Sequence, residues 1–220
     1  MVAYPDYIDI RKIGINRTGL TTGENCRYSL TINLGSTSGT LVFILMNPSA
    51  ATESVSDVTV NNCIEYARNN NYSKVIVLNL FPFYFSEGEK LDNFLNEKSS
   101  NNLEIYLDRN MKEIKWILKN EANTSHEIIL GTGWTWTNIN EVKKVFTEQA
   151  QKLYKILQSK TVYAFKKENE YFTNSGVSCN FTYHLGGIRS TKLENEKKFE
   201  IKIECINNEY QLLSNDILSQ

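Results

Sequence analysis

Short apolar runs alternate with segments of helical periodicity along most of this chain. Leu41–Leu45, Val75–Leu78, Ile128–Leu130 and Thr161–Phe165 are rich in aliphatic, aromatic and β-branched residues, as strands buried on both faces are. Between the first two runs, Val60, Cys63, Ile64 and Ala67 fall at i, i+3, i+4 and i+7, which predicts a helix of about three turns after Asp57. Leu103, Tyr106, Leu107, Ile114, Ile117 and Leu118 predict a long amphipathic helix ahead of the third run. Val142, Val145, Phe146, Leu153, Ile156 and Leu157 predict another ahead of the fourth, and Asn138 precedes Glu141 at capping-box spacing. Strands separated by such helices imply right-handed crossovers and a parallel sheet.

The flanks read differently. Residues up to Gly23 look irregular and polar. Arg27–Leu34 and Thr40–Met46 read as strands joined by the Gly-rich turn Gly35–Gly39, so an antiparallel hairpin is expected. Pro82–Asn96 reads as a loop, aromatic through Phe83, Tyr84, Phe85 and Phe94 beside Phe81. Toward the end, Val177–Tyr183 reads as extended and Lys198–Ile206 alternates as a strand should, with Glu194–Lys198 a solvated charge run. No internal repeat or linker divides the chain, so one domain is expected over residues 1–220, with a C-terminal extension from position 190.

Composition narrows the classes. The chain has 220 residues, 41% hydrophobic and 22% charged, values of an ordinary globular protein with one sizeable core. Its formal net charge of −1 lacks the basic footprint on which strong non-specific DNA binding depends. Cys26, Cys63, Cys179 and Cys205 are widely separated, and His126 and His184 are the two histidines. No metal and no cofactor is expected from such a set. Asp6 and Asp9 interrupt the first ten residues, and no apolar run is long enough for a bilayer. The reading is a reduced, cytoplasmic protein with free thiols, Cys63 in the core, and no membrane partner.

Candidate chemistry sits where the apolar runs end. L-M-N-P-S at Leu45–Ser49, V-L-N-L-F at Val77–Phe81 and G-T-G-W at Gly131–Trp134 follow the first three runs, and open α/β sheets bind ligands at the carboxyl ends of their strands. Asn47 is a turn residue before Pro48, or an amide that holds a water or substrate beside the small Ser49 and Ala50. Asn79 lies inside an apolar run, where an amide without partners costs a few kcal/mol. Backbone groups satisfy it, or it reads a polar ligand edge as Asn reads adenine. Asp57 is an N-cap first and a candidate carboxylate second. Gly131 and Gly133 admit a ligand to the backbone near a helix start. His184, in Y-H-L-G-G-I-R, opens a segment with two glycines and an arginine.

Taken together, L-M-N-P-S, S-D-V-T, V-L-N-L-F, G-T-G-W and Y-H-L resemble a bacterial and phage family, the domain of unknown function numbered sixteen forty-three. The resemblance runs from Arg27 to Arg189. The same order is similar to the uracil-DNA glycosylase superfamily. That resemblance implies a three-layer α/β/α fold around a four-stranded parallel sheet of order 2-1-3-4, plus an antiparallel N-terminal strand. It implies that Asn47 positions the attacking water, Asn79 reads a flipped base and His184 stabilises the departing base. Pro48, Ser49, Asp57, Phe81, Gly131, Gly133 and Trp134 would line the base site, and Leu185, Gly186, Gly187 and Arg189 would press into DNA. Leu45 and Leu185 stand where that superfamily has Gly and Pro, and an amide at position 47 cannot act as a general base. Two other classes stay open. One is a non-catalytic nucleotide or nucleic-acid binder, and the other a phage-related protein-interaction module using the aromatic segment 81–94.

Overall fold

The computed structural model of the chain describes residues 2–19, 25–35, 38–48, 50–85, 88–97, 103–121, 126–133, 139–166 and 197–214, with Thr182, Leu185 and Leu193. Among these, eight strands form one sheet: β1 (Gly14–Gly19), β2 (Asn25–Asn33), β3 (Ser38–Leu45), β4 (Tyr72–Asn79), β5 (His126–Gly131), β6 (Val162–Lys166), β7 (Lys197–Ile206) and β8 (Glu209–Ser214). Their order is β1-β2-β4-β3-β5-β6-β7-β8. The helices are α1 (Val58–Asn69), α2 (Gly88–Glu97), α3 (Leu103–Asn120) and α4 (Asn140–Leu157). The fold is α/β, as expected. The sheet is not the expected four parallel strands with one antiparallel addition. It is mixed: β4, β3, β5 and β6 pair in parallel, while β1–β2–β4 on one flank and β6–β7–β8 on the other pair antiparallel.

Alternation along the inner strands builds a core on each face. Leu41, Phe43 and Leu45 join Val60, Cys63, Ile64 and Ala67 of α1. Val42, Ile44 and Met46 join a cluster with side chains from α2, α3 and α4. A strand that is apolar at every position must be covered on both sides, and the helical crossovers supply the cover.

Four local expectations are corrected. β2 and β3 are not a hairpin, because β4 lies between them. β4 has β3 on one edge, and its other edge would expose a row of unpaired amides had β2 not taken it. Within the supposedly irregular N-terminal segment, Ile10–Lys12 form a 3-10 helix and β1 covers the outer edge of β2. The aromatic loop contains α2, whose Leu91, Phe94 and Leu95 are buried at helical spacing. The N-cap of α4 is Ile139, with no side-chain capping bond, and Asn138 lies outside the described residues. β8 was not foreseen. Its signal is Asn207–Asn208, whose φ values of 52° and 68° suit a two-residue hairpin turn that requires positive φ twice.

Candidate functional site

The parallel block ends level. Leu45 pairs with Asn79 on one side and with Gly131 on the other, so the three strand-end segments do meet at one edge. Beyond the ladder, Leu80 N–H donates to the Leu45 carbonyl and Phe81 N–H to that of Met46, each at 2.8 Å.

An arginine that sequence reasoning passed over occupies this edge. Between β1 and β2 the register shifts at Asn16/Arg17: Asn16 faces Ser29, and Arg17 faces Arg27. Tyr28 is therefore an extra residue, and the bulge resets the alternation of β2. Leu30 and Ile32 belong to the α1 face, but Cys26 and Tyr28 belong to the opposite core. Ser29 bonds Glu113 of α3. Arg27 is returned to the α1 face, where it is 1% exposed.

Its partners are uncharged. Arg27 Nη1 donates to the Ala51 carbonyl at 3.2 Å, and Nη2 donates to Asn79 Oδ1 at 3.1 Å. Asn79 is itself fully buried. Among the described residues, Arg27 Nε and Asn79 Nδ2 are buried with no hydrogen-bond partner, and each such donor costs about 1–3 kcal/mol. Burial lowers the guanidinium pKa from its ordinary value, opposed by Tyr84, Asp57, Tyr4 and Cys63. Burial likewise pushes the Tyr4 hydroxyl up to about 12, against the pull of Arg27. The half-buried Tyr84 ring lies 5.7 Å from the guanidinium carbon, and its hydroxyl also donates to Ala51 O at 3.4 Å. On the other face, buried Asn110 of α3 donates through Nδ2 to the carbonyls of Asn79 and Leu80, at 2.8 and 3.0 Å. The end of β4 is thus clasped from both sides.

The other predicted residues divide. Asn47 is half-buried, and its Nδ2 donates to the carbonyls of Pro48 (3.0 Å) and Phe85. Pro48 is buried, and its carbonyl also accepts from Phe85 N–H. Asp57 Oδ1 accepts from Val60 N–H at 2.8 Å, so Asp57 is the N-cap of α1. Replacing it by Ala is expected to cost about 1 kcal/mol, with Asn retaining most of that. Urea midpoints of the two variants measure the difference, and a loss of ligand binding without loss of stability would contradict a capping role.

Phe81, expected to line a ligand site, is a core residue: it is fully buried, with its ring 5.2 Å from that of Phe146. The aromatic segment is not an exposed contact surface either. Phe83 is buried and Phe94 is 8% exposed, with their ring centroids 4.8 Å apart, because α2 folds these rings onto the sheet. Leu185, expected to press into DNA, is 2% exposed, and a Cβ built on Gly131 would lie 2.5 Å from its Cγ. Gly131 therefore leaves room for a core leucine. Thr182 Oγ1 accepts from Thr132 N–H at 3.1 Å, so Thr182 and Leu185 are both held at the end of β5. Gly133 is buried, with φ 65°. Ser49, Trp134, His184, Gly186, Gly187 and Arg189 lie outside the described residues. Cys63 is a buried free thiol, as expected. Among the described residues no group of His, Cys, Asp and Glu stands ready to hold a metal ion, and no helix is long and apolar enough to cross a membrane.

A family described as "Protein of unknown function (DUF1643)" matches residues 27–172. Neither the curated proteins nor the solved structures contain a match to the chain.

Proposed function

This chain belongs to the DUF1643 family, and we propose that its strand-end crevice binds a nucleotide or nucleobase through Arg27 and Asn79. One observation carries the reading. Among the described residues a buried guanidinium has no carboxylate partner and keeps Nε–H unmatched, beside an Asn79 amide whose Nδ2–H bonds are unmatched too. Buried polar groups are nearly always satisfied, so two adjacent unmet donors call for an acceptor. A phosphoryl or carboxylate oxygen, or the carbonyl edge of a base, meets that need and balances the charge. The position agrees with the rule that α/β sheets bind ligands beyond their carboxyl ends.

The test is thermal unfolding against a panel of free bases, nucleosides and nucleoside phosphates. A ligand at 100 times its Kd adds about 2.7 kcal/mol to stability, a shift that Arg27→Met and Asn79→Leu should abolish. Failure of every member of the panel, or a shift that survives both substitutions, would refute the reading.

A second reading adds hydrolysis of an N-glycosidic bond in DNA. Its support is Asn47, whose Nδ2 is spent on two backbone carbonyls, leaving Oδ1 to accept from a water. That water would add to the sugar C1′ as the bond to the base nitrogen breaks, and its proton would leave with the base. An amide orients such a water without deprotonating it, so slow turnover is expected. Duplexes carrying uracil, mismatches or modified pyrimidines, treated afterwards to cleave abasic sites, test the step. Strand scission that Asn47→Ala removes supports it, and scission on no substrate leaves the binder.

A further inference from the structure

We propose that a cleft between the C-terminal ends of α3 and α4 binds the phosphate backbone of single-stranded nucleic acid, with Trp116 as a stacking surface for a base. The cleft has a volume of about 550 Å³ and is lined by Lys115, Lys119, His126, Lys155 and Lys160, together with Leu118 and Ile156. His126 opens β5, so the cleft lies at the opposite end of the parallel block from Arg27. The proposal does not draw on the crevice, and its failure would leave the reading of that site untouched.

Charge makes the cleft distinctive. The chain as a whole carries −1, yet four lysines gather here and, among the described residues, no acidic side chain lines the wall. The carboxylates next to its lining residues in sequence are already engaged: Glu121 by Lys74 and Glu127 by Lys198, each at 2.7 Å. Lys119 and Lys155 fall in the last turns of their helices, where the macrodipole favours a cation. That accounts for two of the four. Lys115 lies one turn further back, and Lys160 donates to the Leu118 carbonyl at 3.1 Å, which fixes one wall of the cleft.

Trp116 decides the class of partner. It is 56% exposed and stands beside the cleft rather than in its lining. On the helix surface its neighbours include Lys112 at i−4, Glu113 at i−3 (bonded to Ser29) and the cleft's Lys119 at i+3. An acidic peptide needs the cations alone. A bare indole face beside them suits an unpaired base, because stacking on an aromatic ring adds affinity whatever the base. Duplex DNA keeps its bases stacked and offers the ring nothing.

Fluorescence anisotropy of labelled twelve-residue strands tests this in three arms: a mixed-sequence single strand, an abasic phosphodiester strand of equal length, and poly-glutamate. The base-bearing strand should bind tightest. Its affinity should fall with salt at a log–log slope of about −3, from about 0.7 per phosphate contacted by four lysines. The Lys119→Glu/Lys155→Glu variant should bind at least tenfold more weakly and lose about half of that slope. Trp116→Ala should weaken the base-bearing strand about tenfold and leave the abasic strand unchanged. Equal binding of poly-glutamate, indifference to Trp116→Ala, or no binding of either strand at low salt would each overturn the proposal.

Discussion

Asn79→Leu is expected to destabilise the protein by about 2–4 kcal/mol, although it replaces a polar side chain by an apolar one in an apolar strand. The cost arises at Arg27, which is 1% exposed and would lose one of its two protein acceptors. Arg27→Met should cost less, about 1–3 kcal/mol, by stranding Asn79 Oδ1, whereas the Ala51 carbonyl keeps the Tyr84 hydroxyl as a donor. The double variant removes both partners together, and apolar groups in place of a bonded pair are nearly neutral. Its loss should therefore fall short of the sum of the singles by at least about 1 kcal/mol. Urea unfolding of the four proteins gives this coupling energy. Additive losses would mean that the two side chains do not share a bond and that the crevice has no built pair.

Phe81→Ala should cost about 3–5 kcal/mol, a large fraction of the roughly 5–15 kcal/mol that stabilises a domain of this kind. The ring is fully buried against Phe146 of α4, and its backbone N–H is fixed to Met46 O. The substitution empties a space that the rigid strand end cannot collapse into. The midpoint of urea unfolding should fall without a change in m value. A loss below about 1 kcal/mol would mean that Phe81 is not core, and would return the aromatic segment to the list of partner surfaces.

Both predictions concern features of unequal legibility. That Val77–Phe81 ends a buried strand follows from its unbroken apolar run, and Asn79 stands out within it for the same reason. Arg27 gave a weaker signal: a cation inside C-R-Y-S-L-T-I, a segment otherwise fit for a strand. Alternation assigns it no useful face, because a bulge adds one residue and period-2 counting fails past it. The hairpin expected between β2 and β3 failed on a related ground. A Gly-rich connection of a few residues is compatible with two adjacent strands or with two that flank a third, and only pairing energetics along β4 choose between them. Leu185 looked like part of a mobile glycine loop, but its burial depends on the space above Gly131, more than fifty positions earlier.

By itself the sequence determined the inner strands, α1, α3 and α4, and the meeting of the L-M-N-P, L-N-L-F and G-T-G segments at one edge. These follow from short-range periodicity and from the handedness of crossovers, which are properties of neighbouring residues. The tertiary structure alone decided which strands flank the parallel block, that Arg27 turns inward to Asn79, and that four lysines from two helices and a loop share a cleft. Each of those depends on contacts between residues far apart in the chain, and no local pattern encodes the distance at which they meet.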